Sequence, residues 1–229
     1  MNTRKTLLAT KKLSTAQKSL LSEFVLMEES LIEVFLKRDL KREAFYECAV
    51  FTSQNAVKAV FEENNFLATS FGAVFCVGTK TAQLLKSFGV EVTGNSNTSE
   101  ALAQRLLEEE IGSNVTFFCG NLRRDELPDL LREHQIAIEE VEAYVTVLHS
   151  VELQQELDGI LFFSPSAVQS YLAAGNAVTA AAFCIGNTTA LAAIAAFEKV
   201  YVPETSTIEE VVALVKTVFQ TVEGSVNKR

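Results

Sequence analysis

Along this chain, short apolar runs rich in Val, Phe, Ile and Ala alternate with segments whose apolar positions recur at helical spacing. The short runs predict strands near 6–10, 48–52, 73–77, 90–92, 115–118, 159–163, 181–185 and 199–202. The segments between them predict helices, opened by the capping residues Ser53, Thr98, Asp125, Ser164 and Thr207. Strand, helix, strand implies parallel sheets with right-handed crossovers and helices on both faces, so the predicted class is α/β with three layers.

Two segments are too long for that scheme. Residues 24–37 and 136–149 each read as extended without an internal Gly or Pro, and at about 3.3 Å per residue each reaches roughly 40 Å. Both are expected to leave one domain and enter another, as a two-stranded β connector. That organisation puts residues 1–35 and 147–229 in a first, discontinuous α/β domain and 36–146 in a second. A two-stranded connector is marginal by itself, so the domains should swing. The alternative is two contiguous domains divided near Gly112.

The pattern also repeats, at a shift of about 110 residues. Phe51-Thr52-Ser53-Gln54-Asn55-Ala56-Val57 returns as Phe163-Ser164-Pro165-Ser166-Ala167-Val168, and Phe75-Cys76-Val77-Gly78-Thr79-Lys80-Thr81-Ala82 as Phe183-Cys184-Ile185-Gly186-Asn187-Thr188-Thr189-Ala190. Thr98-Ser99-Glu100-Ala101-Leu102 is echoed by Thr207-Ile208-Glu209-Glu210-Val211, and Thr6-Leu7-Leu8-Ala9-Thr10-Lys11-Lys12 by Thr116-Phe117-Phe118-Cys119-Gly120-Asn121-Leu122. Matched motifs in matched places mean two similar copies of one α/β unit.

Composition narrows the chemistry. Over 229 residues, 48% are hydrophobic, enough for two modest cores, and no apolar stretch approaches the roughly 20 residues that span a bilayer. The opening residues 1–14 have no export-signal core, so a cytoplasmic location is expected. Cys48, Cys76, Cys119 and Cys184 lie in or beside apolar strands without CxxC spacing, as reduced core thiols do. With His134 and His149 the only histidines, no metal site is expected. A net charge of −9 without a basic stripe argues against a nucleic-acid partner. The paired cations Lys11-Lys12, Lys37-Arg38, Lys41-Arg42 and Arg123-Arg124 read as solvated surface, though the first and last of these pairs occupy the matching loop of the repeat.

Candidate chemistry gathers at the carboxyl ends of the strands, where helix N-termini present free N–H groups. Thr52-Ser53, Gly78-Thr79-Lys80-Thr81, Thr98-Ser99, Ser164-Pro165-Ser166, Gly186-Asn187-Thr188-Thr189 and Thr205-Ser206-Thr207 stand there, a set suited to carboxylates. Each Ser or Thr alone reads first as a cap. No Ser/His/Asp set, GxSxG, phosphate loop or GxGxxG is present. Tyr144, in Glu142-Ala143-Tyr144-Val145-Thr146 of the second long segment, is the candidate acid; the competing reading is a half-buried strand tyrosine.

At these residues the chain resembles the uroporphyrinogen-III synthase family over nearly its whole length. The carriers are Val50-Phe51-Thr52-Ser53 with Asn55-Ala56-Val57, Val77-Gly78-Thr79-Lys80-Thr81-Ala82, Cys119-Gly120-Asn121-Leu122-Arg123-Arg124 with Leu127-Pro128, Val141-Glu142-Ala143-Tyr144, Phe162-Phe163-Ser164-Pro165-Ser166-Ala167-Val168, and Ile185-Gly186-Asn187-Thr188-Thr189-Ala190. The resemblance implies a cofactor-free enzyme that closes hydroxymethylbilane to uroporphyrinogen III with inversion of ring D and loss of water, in a cleft between two domains. It implies Tyr144 as the group assisting departure of the hydroxyl, and Thr52, Ser53, Gly78, Thr81, Ser164, Gly186, Thr188 and Thr189 as substrate-binding positions. The partner it implies is the small molecule hydroxymethylbilane, with room for transient contact with the preceding pathway enzyme. Gln54 stands where the family often has proline, and the proline often found in the first crossing strand is absent around Ile32-Glu33-Val34.

Two readings compete. One is a non-catalytic hinge-type binding module for a small polyanion in the cytoplasm. The other is a flavodoxin-like carrier, which predicts a phosphate loop and flanking aromatics, against a chain with no Trp.

Overall fold

A computed structural model describes residues 4–109, 111 and 114–226, the last six by backbone alone. In chain order its elements are β1 (Thr6–Ala9), α1 (Thr15–Leu20), β2 (Val25–Glu28), β3 (Ile32–Leu36), β4 (Tyr46–Phe51), α2 (Gln54–Lys58), β5 (Phe71–Val77), α3 (Thr79–Ser87), β6 (Gly94–Ser96), α4 (Ser99–Glu108) and β7 (Asn114–Gly120). There follow α5 (Glu126–Glu133), β8 (Ala137–Leu148), β9 (Gly159–Phe162), α6 (Pro165–Ala173), β10 (Ala181–Cys184), α7 (Asn187–Ala193), β11 (Val200–Tyr201) and α8 (Ile208–Val226). Two compact units form: Met1–Glu33 with Val147–Arg229, and Val34–Thr146. The alternative boundary near Gly112 falls outside the described residues.

The first unit holds a parallel sheet in the order β11-β10-β9-β1-β2. Its strands are apolar on both sides because both faces are covered. Leu7, Ala9, Leu161 and Phe183 point to the face where Leu13, Leu21, Val211, Val212 and Val215 close the core, and Leu8, Ile160, Phe162 and Cys184 point to the face closed by Val168, Tyr171, Ala193 and Phe197. The second unit repeats this with β8-β7-β4-β5-β6 parallel. Phe51, Val74, Cys76 and Phe118 meet α2 and α3 on one face, while Val50, Phe75, Val115 and Phe117 meet α4 and α5 on the other. Each unit is therefore a three-layer α/β sandwich.

Matched through the repeat, β4, β5, β6, β7 and β8 correspond to β9, β10, β11, β1 and β2, and the spatial order is the same. The first unit draws two of its strands from the start of the chain and three from its end, so one copy is a circular permutation of the other.

The repeat extends to a pair of buried polar residues. Asn64 donates from Nδ2 to the carbonyls of Lys37 (2.8 Å) and Ala59 (2.7 Å) and accepts from Leu40 N–H (3.0 Å). Asn176 donates to Val151 (2.9 Å) and Tyr171 (3.1 Å) and accepts from Leu153 N–H (2.8 Å). Each thus ties the segment just after β3 or β8 to the helix that follows the unit's central strand.

Three expectations require correction. Residues 24–37 are two strands. β2 pairs with β1, whereas β3 lies beside β8 at the edge of the other sheet, antiparallel to it: Lys37 N–H donates to Ala143 O (2.8 Å) and His149 N–H to Leu31 O (2.9 Å). The change of partner needs a break, made where the Glu28 carboxylate turns back to accept from Leu13 N–H (2.6 Å) and Leu31 drops fully into the core. The strand expected at 90–92 starts later, at Gly94: Val90 closes the preceding helix and fills the core, and ladder pairing to β5 begins only where Gly94 opposes Phe75. A Cβ at Gly94 would stand 2.6 Å from the Phe75 ring. Asp125 does not cap α5 with its side chain; its backbone is already helical and its carboxylate accepts from Arg123 instead (2.5 Å).

Candidate active site

In the second unit the ends of β4 and β5 lie side by side. Ser53 leaves β4 with extended backbone, and its Oγ accepts from Asn55 N–H (3.1 Å), so it satisfies one donor of the first turn of α2. Thr52 beside it is half-buried. Gly78 leads from β5 into α3 with φ +86° and ψ 141°, a conformation essentially reserved to glycine. Its N–H donates to Ser96 O (2.9 Å), and its carbonyl accepts from Thr81 and Ala82 (both 3.1 Å). Thr81 is buried, and the neighbours exposed at that helix start are Thr79 and Lys80.

The first unit repeats the arrangement. Ser164 Oγ accepts from Ala167 N–H (3.1 Å) and lies 3.0 Å from Ser166 Oγ. Gly186 is extended, and a Cβ there would meet Ser206 Oγ at 2.8 Å, so a side chain at this position would require the Ser206 hydroxyl to turn away. Thr189 is buried and Thr188 exposed. Of the proposed substrate hydroxyls, then, Thr52, Ser53, Ser164 and Thr188 remain at least partly open, while Thr81 and Thr189 pack beneath their helix starts.

Tyr144 is joined to this set by chemistry. It is half-buried on β8 and packed against the aromatic core, with its phenol beside the Ser53 side chain. Its position depends on a bulge. The β7–β8 ladder runs regularly to Cys119 opposite Glu142, and then Gly120 opposes Tyr144, leaving Ala143 as the extra residue. The ring then lies directly against Gly120, where a Cβ would stand 2.5 Å from Cε2 and Cζ. Burial pushes the phenol above its ordinary value of 10, with the Ser53 side chain working against that rise, so Tyr144 is a protonated donor across the physiological range.

Gly120 and Asn121 escape a reading confined to strand-end hydroxyls. The signal that could have marked them is in the repeat, where Gly120 stands against Thr10 and Asn121 against Lys11. The cations divide. Arg123 is held between Glu140 and Asp125 and so closes the loop after β7, whereas Lys11 and Lys12 make no ion pair among the described residues. Lys11 Nζ instead lies 5.9 Å from the Phe163 ring centroid, beside Ser164. All four cysteines are buried and unpaired, with burial pushing Cys48 and Cys184 up to about 12 and Cys76 and Cys119 up to about 11, too high for nucleophilic work.

A family model described as HEM4, Uroporphyrinogen-III synthase HemD, matches residues 24–213. The chain belongs to the uroporphyrinogen-III synthase family. Crystal structures agree on the fold: the uroporphyrinogen-III synthetase of Helicobacter pylori has a TM-score of 0.67 at 18% identity, over 94% of this chain and 100% of that one. A mutant uroporphyrinogen III synthase of Thermus thermophilus has a TM-score of 0.71 at 16% identity, over 95% and 99%. A uroporphyrinogen-III synthase cyclises hydroxymethylbilane, which favours the enzyme over the binding module and the flavodoxin-like carrier. Among the described residues no helix is long and apolar enough to cross a membrane, and no group of His, Cys, Asp and Glu is gathered to hold a metal ion.

Proposed function

We propose that Tyr144 is the acid of uroporphyrinogen III formation in this chain and that Ser53 is its hydrogen-bond partner. The observation that carries the proposal is the placement of the Tyr144 phenol, set by the bulge against Gly120 and beside the Ser53 side chain at the carboxyl end of a parallel sheet. The phenol gives its proton to the hydroxymethyl oxygen, the C–O bond breaks, and water leaves. The pyrrole nitrogen lone pair fills the electron deficit as an azafulvenium cation, and the phenolate left behind accepts from Ser53. Such assistance is worth about 10² to 10⁴ in rate. Direction of closure is assigned to binding: rings held in one conformation supply the orientation that unaided closure lacks. Thr52, Gly78 and the start of α3 are proposed to hold substrate carboxylates, and Ser164, Gly186 and Thr188 offer the same donors in the other copy. Thr81 and Thr189 are proposed to act through the helix starts they support.

Because free hydroxymethylbilane closes unaided to the non-inverted isomer, the proposal includes transfer from the preceding enzyme by transient contact. Four buried free thiols support a reducing, cytoplasmic setting. The test incubates the protein with freshly made hydroxymethylbilane, then oxidises and separates the porphyrin isomers. Type III is expected, formed slowly but still as type III by Tyr144→Phe. Type I alone from the unaltered protein would sink the reading, and full turnover in Tyr144→Phe would remove the acid role.

A further inference from the structure

Tyr144 sits just beyond a bulge, which leaves Ala143 unpaired and disrupts the ladder locally. Something must restore the register. The β7 strand ends at Gly120, opposite Tyr144, so no further strand backbone is available to pair with Val145 and Thr146. In its place stands the side chain of Asn121. Its backbone N–H donates to Tyr144 O (3.3 Å), its Oδ1 accepts from Thr146 N–H (2.8 Å), and its Nδ2 donates to Thr146 O (3.2 Å). A carboxamide presents one donor and one acceptor side by side, as a peptide group does, so this paired contact is an extra rung of sheet built from a side chain.

We propose that Asn121 is a positioning residue for the reaction: it acts through Tyr144, by holding the two residues after the bulge so that the phenol stays against Ser53. Gly120 fixes the ring from below and Ser53 fixes the oxygen, while the Asn121 rung fixes the backbone that carries both the ring and the strand beyond it. The inference rests on the acid role given to Tyr144 above. The alternative, that Asn121 merely stabilises the unit, predicts a loss of stability that is independent of the phenol.

A double-mutant cycle separates the two. Asn121→Ala should lower kcat about tenfold or more and leave KM within about threefold. In a Tyr144→Phe background the same substitution should change kcat less than about twofold, because there is no acid left to misplace. An Asn121→Ala enzyme with the unaltered kcat, or one whose loss is undiminished in the Tyr144→Phe background, overturns the proposal while leaving the acid role intact. Full turnover in Tyr144→Phe alone overturns both. A substrate-free readout stands beside the kinetics: the alkaline absorbance titration of Tyr144, taken as the difference from the Tyr144→Phe protein, should move toward the ordinary tyrosine value in Asn121→Ala. An unmoved titration would show that Asn121 does not hold the phenol in its place.

Discussion

The two units share strand order, paired cores and even a matched buried asparagine, yet they part company at one strand end. In the first unit β2 stops after four residues, and Glu28 folds back onto Leu13 N–H and Lys18. Burial raises the Glu28 carboxyl, but those two donors outweigh it and hold it below its ordinary value. In the second unit the corresponding β8 continues for twelve residues, passes through a bulge, and lays Tyr144 on Gly120 within reach of Ser53. A duplicated scaffold provides two sets of helix starts suited to carboxylates. The proposed acid arises in one set alone, from a longer strand, one inserted residue and one missing Cβ.

The contrast is most exposed at Gly120 and its counterpart Thr10. Gly120→Ala forces a methyl group into the Tyr144 ring, and turnover should fall about a hundredfold, since displacements of about 1 Å at a reacting group have that effect. Thr10→Ala removes a hydroxyl that donates to Leu161 O (2.8 Å), which should cost about 1 kcal/mol of stability and leave turnover within a few-fold. Steady-state kinetics and denaturant unfolding on both variants decide it. Equal effects on turnover would mean that the two strand ends are functionally alike.

Where the copies agree, substitutions should agree. Asn64→Ala and Asn176→Ala each strip three hydrogen bonds from buried backbone, and each should destabilise by about 2 kcal/mol in denaturant unfolding. A loss in one variant only would show that the matched clamps do not carry matched loads.

The thiols give a graded contrast: the second unit buries three, the first only Cys184. Their folded values, about 11 to 12 against an ordinary 9, keep them protonated, so their contribution is full below about pH 9 and is lost as pH rises through 11 to 12. Above pH 9 each thiol should lower unfolding free energy by about 1.4 kcal/mol per pH unit. Comparing unfolding at pH 8 and pH 10, each Cys→Ala variant should flatten the decline by that amount. An unchanged slope would place the decline elsewhere.

Much of this was legible from local pattern. Strands covered on both faces are apolar runs, and a Ser or Thr before a helix announces a strand end, so the parallel units, Ser53 and Ser164 could be marked, while Tyr144 is singled out by its place in the second long segment and by the family resemblance. What escaped reading depends on partners distant in the chain. Residues 24–37 are uniformly compatible with an extended backbone, and only the switch of β2 and β3 to different sheets reveals the break. Gly120 reads as a turn glycine until a ring from 24 positions later rests on it. Asn121 reads as a loop polar residue until its amide meets Thr146, and no periodicity signals a rung made by a side chain.

The smallest effect tests whether the two caps are equivalent in all but the phenol. Ser53 and Ser164 both accept from a first-turn N–H, Ser53 from Asn55 and Ser164 from Ala167, so Ser53→Ala and Ser164→Ala should each cost about 1 kcal/mol of stability. Only Ser53 also lies beside the Tyr144 phenol, so only Ser53→Ala should show a further loss in kcat, about tenfold, from a phenolate that must develop without its proposed donor. Loss of the Ser53 hydroxyl should also let the Tyr144 phenol titrate still higher, because burial remains while the group that favours the ionised form is gone. If Ser164→Ala slows kcat as much as Ser53→Ala, the serines act through the substrate in both units and the special pairing with Tyr144 contributes nothing to the rate.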